Sequence, residues 1–183
     1  MTLIDQMTTS ATVSADEYTQ VCQFLAREAR LLDQNRLWEW FELLAEDFTS
    51  EVPVRVTLAR AATEKDPFAE FKTGVYHAQD TKGSARVRIE RLFSGYAWAE
   101  DPPSRTVRSV GSVEVTGRRS VGEYDVWSAL LLYRERGLEP EHQFISANRS
   151  DVLRRTDASF EIVERKIWLA HTIVNTPNLG LFL

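Results

Sequence analysis

The chain has 183 residues, 43% of them apolar, with 27 acidic and 22 basic side chains and a net charge of −5. That is enough apolar material for one domain with a real core, and the acidic balance argues against a nucleic-acid binder, which carries a basic excess. A single cysteine, a first basic residue as late as Arg27 and no apolar run of membrane-spanning length leave no internal disulfide, no signal-peptide start and no transmembrane helix, so the chain reads as soluble and cytoplasmic.

Residues 1–13 are polar and unpatterned: a frayed end, or an arm draped over a neighbouring subunit. The domain proper spans 14–183. Ser14-Ala-Asp-Glu17 is a capping box that starts a helix with Tyr18, Val21, Cys22, Leu25, Ala29 and Leu32 on one apolar stripe. Asp33 is expected to cap a second short helix, Asn35 to Leu44, with Leu37, Trp38, Phe41 and Leu44 inward. Thr49 to Ala59 alternates as a half-buried strand, Val52, Val54, Val56 and Leu58 facing one way; Pro53 lacks an N–H and demands an edge or a bulge. Ala61 to Thr73 is polar and irregular and reads as a mobile loop. Thr81 to Leu92 reads as a third helix burying Val87, Ile89 and Leu92, with Arg86, Arg88 and Arg91 as a solvated or partner-binding face.

Pro102-Pro103 then fix a stiff entry to four strands in succession, about 104–117, 122–136, 142–155 and 159–171. Strands with short breaks and no helix between them pair antiparallel. Val107, Val113 and Val115 are expected to share one face. Strand 122–136 is apolar on both sides around Trp127 and Leu130–Tyr133. In the last strand Phe160, Ile162 and Trp168 alternate with Val163, Ile167 and Leu169. Three helices cover one face of such a sheet, so the other carries surplus apolar surface that calls for a partner. The stretch Asn178 to Leu183 is apolar and belongs either in the chain's own fold or against another chain.

The search for chemistry yields no catalytic set. A Rieske centre needs two Cys and two His, and Cys22 stands alone. The three histidines, His77, His142 and His171, are far apart in sequence; His77 with Asp80 makes a weak half-site for a 2-His-1-carboxylate iron centre. Cys22 falls on a buried stripe where a thiol is inert, and Ser128 and Ser146 sit in strands with no neighbouring His motif. The eight glycines form no phosphate-cradling loop. The pairs Glu46-Asp47, Glu100-Asp101 and Glu139 with Glu141 read as turn surface, and Arg118-Arg119 and Arg154-Arg155 as strand-end or cross-strand partners.

Several blocks in one register resemble the small (beta) subunit of aromatic-ring-hydroxylating, Rieske non-haem iron dioxygenases. They are Glu28-Ala-Arg-Leu-Leu-Asp33 with Trp38, Leu44-Ala-Glu-Asp47 leading to Val52-Pro-Val-Arg55, Trp98 to Thr106 followed by Val110 to Val115, and Asn148 to Arg155 followed by Phe160 to Leu169 and Asn178-Leu. Leu169-Ala-His171 stands where the pattern expects Leu-Asp, and the 60–80 region departs from it. The resemblance implies an α+β cone, a strongly curved antiparallel or mixed sheet wrapped on N-terminal helices, as in nuclear transport factor 2 and ketosteroid isomerase. It implies a structural subunit without cofactor. The partner alpha subunit would carry the Rieske 2Fe-2S cluster and the mononuclear Fe(II) in an α3β3 hexamer with beta–beta contacts. A ferredoxin and a reductase would feed it from NAD(P)H, and its substrate would be an aromatic hydrocarbon or aromatic acid. Trp98, Pro102, Pro103, Arg105, Arg149 and Asp151, taken from the resembling blocks, are the expected partner-interface anchors. Two alternatives use the same cone: a stand-alone isomerase or dehydratase with an Asp base and a Tyr/Asp oxyanion hole, and a small-ligand module without chemistry.

Overall fold

The computed structural model describes residues 13–59, 68–94, 103–136, 142–173 and 181–183. The N-terminal arm up to residue 12, the Lys65–Pro67 turn, Tyr96, Trp98, Pro102, Glu100-Asp101, Glu139 with Glu141 and Asn178 lie outside the described residues.

Helix α1, Ala15–Asp33, begins at the anticipated capping box: Ser14 Oγ accepts from the Glu17 amide and the Glu17 carboxylate accepts from the Ser14 amide. Its buried side is Val21, Phe24, Leu25, Glu28, Ala29, Leu31 and Leu32, a stripe with a glutamate at its centre. Because Phe24 and Glu28 belong to that side, the stripe is rotated from the expected one, leaving Cys22 half-buried and Tyr18 41% exposed. Asp33 is the last residue of α1 rather than a cap; its carboxylate accepts from the Arg108 amide and guanidinium. Asn35, at φ 55°, turns the chain sharply into α2, which is only Leu37–Phe41. It buries Leu37 and Trp40 and leaves Trp38 exposed.

Strand β1, Leu44–Arg55, starts earlier than the alternation suggested, and its register slips on both sides of Pro53. The proline therefore sits at a bulge, the second of the two places open to it, since β1 has neighbours on both sides. Strand β2, Phe71–Thr81, was not expected: as an edge strand it is mostly exposed and carries no alternating apolar signal. Helix α3, Lys82–Phe93, is capped by Thr81 and Ser84 and buries Ala85 and Ile89, while Val87 points to solvent.

Strands β3 (Arg105–Ser120), β4 (Glu123–Glu135), β5 (Gln143–Arg155) and β6 (Phe160–Leu169) fall where the sequence put them. The six strands of the described residues form one sheet in the order β2-β1-β6-β5-β4-β3, with every pair among them antiparallel except β1–β6. Irregularities curve it and switch which side chains face inward. In β3, Ser112 at φ 49° sits in a register slip between Gly111 and Glu114. Thr106 and Arg108 are buried before the slip and Val115 after it, so Val107 faces away from Val113 and Val115. In β6, Val163 is the extra residue. Beyond it Arg165, Ile167 and Leu169 join Phe160 and Ile162 on the buried face, and Trp168 lies on the other.

The helices pack in the concave face. One apolar cluster joins Phe24, Leu25, Trp40, Leu44, Ile89, Val126, Leu153, Phe160 and Ile162. A second joins Val52, Leu130, Leu132, Ile145, Ala147, Ile167, Leu169 and Leu183. The convex face carries rows set by the register, Val107–Tyr133–Phe144 and then Ser109–Leu131–Ser146. Here Val107, Phe144 and Leu131 are 63%, 54% and 47% exposed. Strand β4 is thus covered on one face by the chain itself; the apolar surplus lies on the other. Part of it is screened by Phe68, which stacks on Trp127 and Trp168.

Glu17 couples the first turn of α1 to the sheet, accepting from Tyr124 at 2.8 Å and pairing with Arg118. Replacing its capping partner, Ser14→Ala, is expected to lower the unfolding free energy by about 1 kcal/mol, measured by urea denaturation followed by circular dichroism.

Candidate functional site

Between the two apolar clusters runs a belt of charge at the floor of the cone. The register places Ser128 opposite Arg149, and Asp151 opposite Arg165. From above, the buried face of α1 delivers Glu28 into this belt. Arg165 binds both carboxylates at once: Nη1 and Nη2 reach Glu28 at 2.5 and 2.9 Å, and Nε and Nη2 reach Asp151 at 2.7 and 3.1 Å. Trp40 Nε1 donates to Glu28 at 3.2 Å, and Arg149 Nη1 stands 3.6 Å from it. Two carboxylates and two guanidinia balance, all buried.

The belt extends on both flanks. Arg108 pairs with Asp33 at 2.5 Å, and Arg88 pairs with Asp80. The segment Leu181–Leu183 closes the space above, its main-chain oxygens accepting from Arg88, Arg108 and Arg165. Of the two placements open to this apolar stretch, the described part takes the one inside the chain's own fold.

This arrangement decides what the carboxylates can do. Burial alone would raise the Glu28 carboxyl, but Arg165 and Arg149, with hydrogen bonds from Arg165 and Trp40, pull it from the usual 4.5 down to about 2. A general base for proton abstraction needs the opposite, a pKa near the working pH. Burial lowers the Arg165 guanidinium, yet Asp151 and Glu28 outweigh it and raise it further. Arg149 is pushed down, by burial and then by the Arg165 charge. The Tyr124 hydroxyl is bound to Glu17 and the Tyr18 hydroxyl to the Val113 carbonyl, so neither serves an oxyanion in the cone. The acid–base pocket required by the isomerase alternative is not built from these side chains.

Of the expected interface anchors, Pro103 lines a cavity at the mouth of the cone, and Arg105 is on the surface, 3.6 Å from Glu135. Arg149 and Asp151 are in the belt, 1% and 0% exposed, and their neighbours are α1 and β6 of this chain. Trp98 and Pro102 lie outside the described residues. His77 and Asp80 are in β2 rather than a loop; His77 is exposed at a register slip, and Asp80 is taken by Arg88 and Ser84. No group of three or more His, Cys, Asp or Glu able to hold a metal occurs among the described residues. The fold does bring together Ser146 and His171, Oγ to Nε2 at 3.4 Å, but the Ser146 amide donates to the same nitrogen, and among the described residues no carboxylate orients the ring. Glu46 and Asp47 lie on β1, not in a turn, and pair with Lys82 and Arg154. No local pattern assembles the belt; its signals in the sequence are Glu28 on the apolar side of α1 and Arg165 in the apolar last strand.

Comparison with known proteins agrees with this geometry. The family described as Ring hydroxylating beta subunit matches residues 27–176. The chain is 35% identical over 176 residues to the benzene 1,2-dioxygenase subunit beta of Pseudomonas putida, covering 94% of this chain and 91% of that one. It is 35% identical over 161 residues to the N,N-dimethyl phenylurea N-demethylase subunit beta of a Sphingobium species, covering 88% of each. Among solved structures, a chain of naphthalene 1,2-dioxygenase with indole bound in the active site matches with a TM-score of 0.81 at 20% identity, covering 98% of this chain and 91% of that one. At that identity the match establishes the fold.

Removing the charge of Glu28 leaves two buried guanidinia facing a neutral group, so Glu28→Gln is expected to cost about 3–5 kcal/mol in urea denaturation. In the wild type the Glu28 pKa is lower folded than unfolded. Its contribution is therefore complete above about 4.5 and is lost as pH falls toward about 2. Urea midpoints followed down through this window are expected to drop for the wild type and to drop less for Glu28→Gln.

Proposed function

The chain belongs to the ring-hydroxylating beta-subunit family, and from that premise we propose that it is a non-catalytic assembly subunit supporting the iron-carrying alpha subunit of an aromatic-ring oxygenase. One observation carries this: the interior where the fold could house chemistry is spent on closed ion pairs and on the chain's own residues 181–183, while apolar side chains stand on the convex face. A buried polar interior sets the shape of the subunit, and an exposed apolar row offers it a place to be held.

The iron chemistry belongs to the partner. A Rieske cluster takes two cysteines and two histidines, and this sequence has one cysteine in all. In this reading the alpha subunit holds the 2Fe-2S cluster and the mononuclear iron, the complex is an α3β3 hexamer with beta–beta contacts, and a ferredoxin and reductase supply electrons from NAD(P)H. Its place is the cytoplasm; among the described residues no helix is long and apolar enough to cross a membrane. The substrate is an aromatic hydrocarbon or aromatic acid. The relative named for N-demethylation of a phenylurea, as similar in identity as the one named for benzene, supports oxygenation at an N-methyl group of an aryl urea as the second reading.

Co-expression with a neighbouring reading frame that encodes Cys-x-His and Cys-x-x-His tests the proposal. The two chains together are expected to give a soluble, coloured hexamer, and this chain alone a colourless, inactive protein prone to aggregate; turnover of an aromatic substrate by the isolated chain would sink it. Leu131→Asp and Phe144→Asp, on the exposed row, are expected to change the stability of the isolated chain by no more than about 0.5 kcal/mol. The same substitutions are expected to weaken co-assembly roughly 30-fold, the effect of a central anchor worth about 2 kcal/mol. Urea denaturation reads the first, and size-exclusion chromatography with multi-angle scattering reads the second.

A further inference from the structure

The interior of the cone is not filled by helices and sheet alone. Phe182 and Leu183 are buried in it, and three arginines from three different elements each donate to one of three successive main-chain oxygens. Arg88 on α3 reaches Leu181 O at 3.2 Å, Arg108 on β3 reaches Phe182 O at 2.8 Å, and Arg165 on β6 reaches Leu183 O at 3.1 Å. The Phe182 ring lies on Trp40, centroids 4.3 Å apart, and the Arg88 guanidinium stands 4.2 Å from its centroid. Leu181 and Phe182 separate two small cavities. One, of about 30 Å³, is walled by Trp40, Val52, Arg88 and Arg165; the other, of about 120 Å³, by Leu32, Leu37, Phe93, Pro103 and Arg108. Without the segment these spaces and its own volume would be one chamber.

The chamber has the make-up of a ligand site: apolar and aromatic walls with a few converging polar groups. Its donors are guanidinia that each already hold a carboxylate of the chain, Arg88 with Asp80, Arg108 with Asp33 and Arg165 with Glu28 and Asp151, and that give a remaining N–H to the main-chain oxygens of the segment. The Arg108 side chain is 2% exposed, and its Nε has no hydrogen-bond partner among the described residues, so one more acceptor would be used there. The aromatic seat shares Arg88 with these donors and adds the Trp40 ring, which donates to no oxygen of the segment.

We infer that the interior of the cone is a binding site for a small aromatic carboxylate, held closed by Leu181–Leu183 acting as an internal ligand. The chemistry of the occupant can be read from the residue in the seat. A phenylalanine residue without its amide nitrogen is 3-phenylpropionate: the ring replaces that of Phe182 between Trp40 and Arg88, and the carboxylate takes the place of Phe182 O on Arg108. The ligand competes with a tethered segment, so its apparent affinity for the whole chain is reduced by the fraction of molecules in which the segment is out.

Two measurements with 3-phenylpropionate test this, and neither needs the alpha subunit. In the full-length chain, the acid at millimolar concentration is expected to speed hydrogen exchange at the Phe182 and Leu183 amides in a saturable way, whereas propionate, which lacks the ring, leaves it unchanged. In a chain shortened to end at Gly180, calorimetry is expected to show the acid binding about tenfold tighter than the neutral 3-phenylpropanol, the value of one charge-assisted hydrogen bond over a neutral one. Equal binding of acid and alcohol would leave only an apolar hole and overturn the assignment. So would unchanged exchange in the full-length chain at the highest acid concentration, and that measurement alone decides if the shortened chain does not fold.

Discussion

Arg165 holds three parts of the chain at once. Its guanidinium spans Glu28 from the first helix, Asp151 from the neighbouring strand and the main chain of Leu183, all out of contact with solvent. Taking such a cation from water costs several kcal/mol, and only a complete set of short, charge-assisted bonds offsets it. The position of α1 along the sheet, the depth of Trp40 and the burial of Leu183 all have to agree with that one set. The bulge at Val163 follows from the same demand: without the extra residue, inward alternation from Ile162 would bring Glu164, not Arg165, into the cone.

An ionic interior of this kind adds little to stability against a well-packed apolar one; what it gives is a single allowed arrangement. That fits the proposed role of an assembly subunit. The two sides of the sheet divide accordingly. The concave side is satisfied within the chain, and the convex side leaves Val107, Leu131 and Phe144 in solvent. Part of the expected interface set lies on the satisfied side: Arg149 and Asp151 shape the subunit from within, while Pro103 and Arg105 stand nearer the surface.

Much of the architecture was legible. The capping box at Ser14, the third helix and the four late strands follow from local rules of spacing and turn chemistry, which need no knowledge of distant residues. What failed was parity. Val107 with Val113, and Ile162 with Trp168, look like partners on one face until an extra residue intervenes, and nothing in Ser112 or Val163 announces a bulge. Strand β2 was missed because an exposed edge needs no apolar alternation. The charged belt escaped for a different reason: in a linear reading Arg149 and Asp151 stand as interface anchors and Glu28 and Arg165 have no partner, and only the strand register and the packing of α1 make the four neighbours. Even so, Glu28 in the apolar spacing of α1 and Arg165 in the apolar last strand were anomalies in plain view. A charge at a core position is informative, since it has to find its counter-ion.

The strand order has a consequence for how the protein is made. Strand β6, which follows the other five in the chain, inserts between β1 and β5, and among the described residues its contact with β1 is the only parallel one in the sheet. Until it emerges, the β1–β2 hairpin and the β3–β5 meander are two fragments with open edges and no shared ladder, and Glu28 waits without Arg165. Pairings so distant in sequence form slowly. The growing sheet therefore cannot close before β6 is made, which makes β6 the latch of its biogenesis and the interval before it the time when a chaperone is most needed.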